Sequence, residues 1–354
     1  MAFNNNATEL YWRFSSRSLC NGSSTTRSTP LTNSLPARAI HLANVGAIIY
    51  VVRVFETQHQ IAGAPHCQTT EGYAHIGPMK FQTPFDRRVV RAHRDRAAAG
   101  IARADFLISA AAEALADRLD DISRQFPRGL NLGYGGGAAA RALEGQGSIG
   151  SWVHTDLSPA MVANAEGRQR VAADEEALPF ATESFDVIVS ALVLHWVNDL
   201  PGTLVQARRC LAPDGLFLAA LLGGDTLLEL REALLMAEQE IEGGASPRTS
   251  PFLDVRDAGD LLARAGFHMA VADADTTVVS YPDPLSLMAD LRAMGETNAV
   301  NTRRKTFTRR ATLMRAAELY FEAHGDSQGR VPATFQVITM TGWAPLKDSD
   351  GLKN

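Results

Sequence analysis

The chain has 354 residues, 45% of them hydrophobic and 21% charged, and a formal net charge of −5. Such a composition is globular and suits one large domain or two modest ones, and its acidic balance offers no basic field of the kind that marks a nucleic-acid binder. Cys20, Cys67 and Cys210 stand far apart with no CxxC pair, which argues against a disulfide framework and a zinc site and fits a reducing compartment.

Up to Met79 the chain lacks aspartate, and Glu9, Glu56 and Glu71 are its only acids. Arg13, Arg17, Arg27 and Arg38 in that Ser-rich setting resemble an organellar transit peptide. The plainer expectation is that residues 1–78 are a poorly structured, mis-started extension. The first reading places the protein in the mitochondrial matrix; the second, for a bacterial source, in the cytoplasm. The apolar run Leu42 to Val52 is shorter than the roughly 20 residues a membrane span needs, so no span is expected.

Beyond Phe85 the texture alternates. Phe85–Ala99 and Ala104–Ser123 are alanine-rich with apolar residues at helical spacing, and they form an N-terminal helical segment within 79–125. From 126 to 222 short apolar strands take turns with helices. The strands are expected at Gly129–Leu132, Ile149–His154, Arg170–Asp174, Phe185–Leu192 and Gly215–Leu222. The helices are expected at Gly137–Leu143, Ser158–Glu166 and Asp199–Leu211, with Ser158-Pro159 as a capped start. Continuous apolar strands between helices imply a doubly wound α/β sheet covered on both faces. Residues 223–354 read as an elaboration of the same domain. It holds an amphipathic helix at Thr226–Glu240 after an Asp225 cap, a Pro- and Ser-rich loop "GGASPRTSPF" suited to a lid, and strands at Val271–Ser280 and Thr334–Trp343.

Sheets of this kind bind ligands beyond the carboxyl ends of their strands. There stands "NLGYGGGAAARAL", with Gly133, Gly135, Gly136 and Gly137 crowded before a helix, so a backbone comes close to something. No Gly-Lys pair exists, so the loop is not a phosphate-binding P-loop. A nicotinamide cofactor stays formally open, although none of the six tyrosines has a lysine four residues on. Asp156 lies about 20 residues past the loop, where a carboxylate reaches a ribose diol. Asp174 is placed for an adenine amino group, with Leu178 and Phe180 as an apolar wall. Ser190, His195 and Trp196 follow the fourth strand, where histidine more often packs than reacts. Arg94 and Arg96 could close over a ligand, but a solvated helix face is the plainer reading. Arg303, Arg304, Lys305, Arg309 and Arg310 form a basic cluster, either a solvated helix start or a docking site for an acidic protein.

In order, Asn131-x-Gly133-x-Gly135-x-Gly137, Asp156-Leu157-Ser158-Pro159-x-Met161, Asp174-x-x-x-Leu178-Pro179-Phe180, "FDVIVSALVLHWV" and "LAPDGLFL" resemble the motifs of class I S-adenosylmethionine-dependent methyltransferases. That family usually carries Asp or Glu where Asn131 stands. The resemblance implies a Rossmann-like, mostly parallel seven-stranded sheet and S-adenosylmethionine as cofactor. It assigns cofactor binding to Asn131, Gly133, Gly135, Gly137, Asp156, Leu157, Met161, Asp174, Leu178 and Ser190. His195 and Trp196 are then the candidates beside the acceptor. Further stretches, "LLGGDTLLELREAL", "EGGASPRTSPFLDVRDAGDLLARAGF", "DLRAMGETNAV" and "VPATFQVITMTGW", are similar to the complex I assembly factor 5 family and its bacterial relatives. That family implies methylation of a small-molecule or protein acceptor. The alternatives are hydroxylation of an arginine in a complex I subunit, or a non-catalytic assembly chaperone. No metal constellation is visible.

Overall fold

The computed structural model describes residues 83–144, 149–165 and 169–347. The expected extension 1–78, including its boundary at Met79, lies outside them.

Helix α1 (Arg87–Ala97) starts on Asp86, whose carboxylate accepts the Val89 N–H, and it buries Val90, Arg94 and Ala97 along one face. A 3-10 turn at Ile101–Arg103 leads to α2 (Phe106–Asp120), which lays Leu107, Ile108, Ala111, Leu115 and Leu119 against the sheet. The alternating unit follows: β1 (Phe126–Leu132), α3 (Ala138–Leu143), β2 (Ile149–Asp156), α4 (Pro159–Ala163), β3 (Gln169–Ala172), β4 (Phe185–Ala191), α5 (Leu200–Cys210) and β5 (Leu211–Leu222). The last third adds α6 (Leu228–Glu242), α7 (Val255–Arg264), β6 (His268–Tyr281), α8 (Pro284–Met294), α9 (Arg310–His324) and β7 (Val331–Trp343).

The sheet has seven strands in the order β3-β2-β1-β4-β5-β7-β6. The first five run parallel, while β7 is antiparallel to both β5 and β6. The expected doubly wound sheet is therefore present. Consecutive residues feed opposite cores. Val187, Val189, Leu216 and Leu218 face α2 and α6, whereas Ile188, Phe217 and Leu221 join the cluster that holds Leu204 of α5 and Leu262 of α7. β1 and β2 approach closely enough that a Cβ on Gly129 would stand 2.7 Å from the Trp152 ring.

Boundaries move where local patterning is ambiguous. β1 begins at Phe126 and β5 at Leu211, earlier than the apolar runs suggest, because parallel partners extend them. β3 lies at Gln169–Ala172, with Asp174 already in the loop beyond it. Helix α6 does not start on Asp225. Its first turn follows Leu227, which sits in left-handed backbone at φ 56°, and Asp225 bonds Gln336 instead.

α2 packs on β4 and β5 in the middle of the sheet. Leu115 is fully buried there. Leu115→Ala should destabilise the fold by about 2–5 kcal/mol, the usual range for deleting a buried leucine. Urea denaturation should show a lower midpoint at unchanged slope.

Candidate functional site

The glycine loop after β1 holds four consecutive-region glycines in left-handed backbone, Gly133 at φ +88° and Gly135, Gly136 and Gly137 behind it. The crowding comes from the protein itself at three of them, and a Cβ on Gly137 would stand 2.7 Å from the Tyr134 hydroxyl. A Cβ on Gly133 would meet Val193 at 2.3 Å, and one on Gly136 would meet Ile101 at 2.4 Å. Gly135 differs, since its nearest neighbour, Ile108, would be at an ordinary 3.5 Å. Only backbone sign demands glycine there.

At the end of β2, Asp156 is buried beneath α1. One carboxylate oxygen accepts the Ser158 N–H at 2.8 Å, and the other takes the Gly135 N–H at a long 3.4 Å. Arg94 stands 3.5 Å away and binds Glu175 more tightly, at 2.7 Å. Arg87, one helical turn and more before it, bonds Glu175, reaches Asp174 at 2.6 Å, and donates to the Trp196 carbonyl at 3.1 Å. Arg94 is therefore not on a solvated face; it is buried. The cause is local chemistry, because two carboxylates inside the protein need a cation and α1 supplies it.

These charges shift one another. Burial pushes the Asp156 carboxyl above its ordinary value, and Arg94 only partly offsets that across 3.5 Å. Burial also penalises the Glu175 charge, but Arg94 and Arg87 outweigh it and hold that carboxyl below the ordinary range. Burial works against the Arg94 charge too, yet Glu175 and Asp156 keep its guanidinium protonated well beyond its usual range.

The other predicted residues are scattered through this edge. Asn131 is buried at the end of β1, with its amide nitrogen 3.3 Å from Nδ1 of His154. The Ser190 hydroxyl donates to the Leu132 carbonyl at 2.7 Å, so it ties β4 to β1. Met161 and Leu178 are covered by the two cores, and Leu157 packs beside Phe85, Val90 and Trp196. His195 and Trp196 lie in a 3-10 turn after β4, and both bond one oxygen of Glu296. Sequence reasoning missed Arg87, Glu175 and Glu296 as partners. The acidic run Asp174-Glu175-Glu176 beyond a strand was the signal that a cation had to be near. Among the described residues no three His, Cys, Asp or Glu side chains converge as they would around a metal ion, and no helix is long and apolar enough to cross a membrane.

A family model described as a methyltransferase domain matches residues 130–219, from β1 into β5. The mitochondrial arginine-hydroxylase NDUFAF5 of Danio rerio is 42% identical over 267 residues, covering 74% of this chain and 83% of that protein. Its Homo sapiens counterpart is 43% identical over 265 residues, 73% of this chain and 76% of the human protein. The malonyl-[acyl-carrier protein] O-methyltransferase of Laribacter hongkongensis is 35% identical over 275 residues, 73% of this chain and 90% of its own length. The chain belongs to the class I S-adenosylmethionine-dependent methyltransferase superfamily, in the group that joins the complex I assembly factor 5 proteins to bacterial methyltransferases.

The Arg94 cluster has a pH signature. In the wild type, the contribution from the lowered Glu175 carboxyl is present above its unfolded value of 4.5 and is lost as pH falls through the folded value. Arg94→Met leaves Glu175 with Arg87 alone and takes away the cation that partly offsets the burial of Asp156, so both carboxyls rise from their wild-type positions and their ionisation favours folding less as pH rises. The substitution should cost about 3–5 kcal/mol at neutral pH. Urea titrations at neutral pH and about pH 5 should show that deficit shrinking on acidification.

Proposed function

We propose that this chain is an S-adenosylmethionine-dependent enzyme whose cofactor lies across the carboxyl ends of β1, β2 and the loop after β3. Its acceptor then sits beyond β4. The observation that carries this reading is the meeting of Asp156 with the glycine loop, since Gly135 N–H points at its carboxylate at 3.4 Å. That contact is long, and the same oxygen would accept from a ribose hydroxyl once Arg94, 3.5 Å from a side chain only 1% exposed, moves aside. The Asp174 side chain is 34% exposed and keeps a face for an adenine amino group. Gly135 is the loop glycine at which the protein's own atoms crowd a Cβ least, at 3.5 Å, and its N–H lies beside Asp156, so these residues fit the cofactor.

When bound, S-adenosylmethionine supplies a methyl group already activated by its sulfonium, which leaves position and water exclusion to the protein. Backbone N–H groups of the loop would hold the methionine carboxylate, Asp156 the ribose diol, and Asp174 the adenine, with Leu178 and Phe180 as apolar wall. Leu157 and Met161 fix the segment after β2, and Asn131 and Ser190 brace the loop from below. The acceptor is a small carboxylate or a protein side chain, and the kinship with assembly factor 5 favours a complex I subunit. Arginine hydroxylation is the second reading, favoured by the 42–43% identity to proteins of that name. The kinship with mitochondrial proteins favours the matrix, provided that residues 1–78 act as a transit segment; a bacterial source favours the cytoplasm. Incubation with methyl-labelled cofactor and mass analysis of products separates the two reactions.

Hydrogen bonds to a charged group are worth roughly 1.5–3 kcal/mol. Asp156→Ala should therefore weaken S-adenosylmethionine and S-adenosylhomocysteine alike, by about 10- to 100-fold in calorimetry, because both carry the same ribose. NAD should not bind the wild type measurably. Unchanged affinity for S-adenosylhomocysteine in a folded variant would remove Asp156 from the site.

A further inference from the structure

His195 sits at the turn after β4 with its side chain 1% exposed, yet it is not fully partnered. Its Nε2 is 3.0 Å from Oε2 of Glu296, and the Trp196 indole N–H donates to that same oxygen at 2.8 Å. A carboxylate can only accept, so the neutral imidazole carries its hydrogen on Nε2. The lone pair is thereby fixed on Nδ1, which is buried and has no partner. Buried acceptors without a partner are uncommon in folded proteins, and each calls for a physical explanation.

The surroundings are built to hold this ring. α8 ends on Gly295, at φ 86°, and the Glu296 N–H closes back on the Leu291 carbonyl at 2.8 Å. That left-handed cap ejects the chain at one fixed angle and delivers Glu296 to the turn after β4. The Phe252 ring, from the Pro- and Ser-rich loop before α7, lies 6.2 Å from the imidazole, and the Trp196 ring lies 5.6 Å away. The loop itself is clipped down, through Asn298 to the Pro247 carbonyl at 2.8 Å and Arg248 to Glu238 at 2.5 Å.

We propose that His195 Nδ1 is the acceptor-side contact of the enzyme, taking a hydrogen bond from an N–H or O–H of the acceptor, and that Glu296 is the positioning residue that fixes its tautomer. A donor-bearing group satisfies the lone pair, whereas a bare carboxylate would set its own lone pairs against it beside the Glu296 charge. If the acceptor loses that proton, Nδ1 receives it and Glu296 faces the resulting imidazolium through Nε2. The assignment rests on the cofactor reading above only for the identity of the pocket.

Long-range proton–nitrogen spectra of the full chain resolve both His195 ring nitrogens, identified by their loss in His195→Asn. Spectra are taken free and with S-adenosylhomocysteine, with ethylguanidine as the donor-bearing probe and acetate as the carboxylate. Nε2 should be protonated and Nδ1 bare. Ethylguanidine should move Nδ1 toward a hydrogen-bonded position, and acetate should leave it in place. Glu296→Gln, whose amide can donate to Nε2, should mix the tautomers and cut the probe response several-fold while S-adenosylhomocysteine still binds. Protonated Nδ1 in the wild type, no response to ethylguanidine, or an equal response to acetate overturns the proposal. If S-adenosylhomocysteine fails to bind, the cofactor reading falls, and the spectrum of the free protein still decides the tautomer.

Discussion

The constraint on which this site depends is the burial of two carboxylates, Asp156 and Glu175, around one guanidinium. Removing an ion from water costs several kcal/mol even after relaxation, and a pair recovers that only with close geometry and further hydrogen bonds. Arg94 meets Glu175 at 2.7 Å, Arg87 adds a second cation, and backbone N–H groups of Ser158 and Gly135 finish Asp156. Both cations come from α1, 62 to 88 residues before the acids they serve. The N-terminal helix is thus part of the edge that it covers. It is tied there by backbone as well, through Phe85 N–H to Asn198 and Asp86 N–H to the Ala299 carbonyl, both at 2.8 Å.

The glycine loop answers to the same crowding. Gly133, Gly136 and Gly137 leave no space for a side chain because Val193, Ile101 and Tyr134 already fill it, so those three positions serve the protein's own packing. Asn131, where relatives of this superfamily usually carry an acid, is fully covered and lies across from His154 in the β1–β2 register. A neutral amide there avoids burying one more charge beside the edge that already holds Asp156 and Glu175.

Much of this was readable from the residues because it is local. Ser158 does cap α4, the loop does follow β1, and Asp156 does meet it, since each feature depends on neighbours in sequence or on the pitch of one βαβ unit. Arg94 was not readable. Its place in "RRVVRAHRDRA" follows the helical spacing of Val90 and Ala97, but an arginine at a buried position looks the same as one on a solvated face. Its partner is 81 residues away, and no spacing rule links an N-terminal helix to a loop after the third strand. Glu296 was hidden for the same reason, since it stands 101 residues from His195. α6 began late because left-handed Leu227 overrides the better cap at Asp225, a tertiary choice that local propensity cannot foresee.

The turn at Leu194–Trp196 joins the two halves of this chemistry. The Trp196 carbonyl accepts from Arg87, and its indole donates to Glu296, so one residue is held both by the charge cluster under α1 and by the acid after α8. His195 between them shares the second anchor. α1 also reaches the same acid from the other side, since His93 Nδ1 lies 3.0 Å from the carbonyl of Thr297, the residue after Glu296. The proposed cofactor edge lies on the glycine loop and strand ends that the methyltransferase domain model spans, whereas Glu296 and Phe252 come from segments outside residues 130–219. Relatives with different reaction names can share the first set and differ in the second, because the fate of an acceptor is decided by what borders it and not by the fold that presents it.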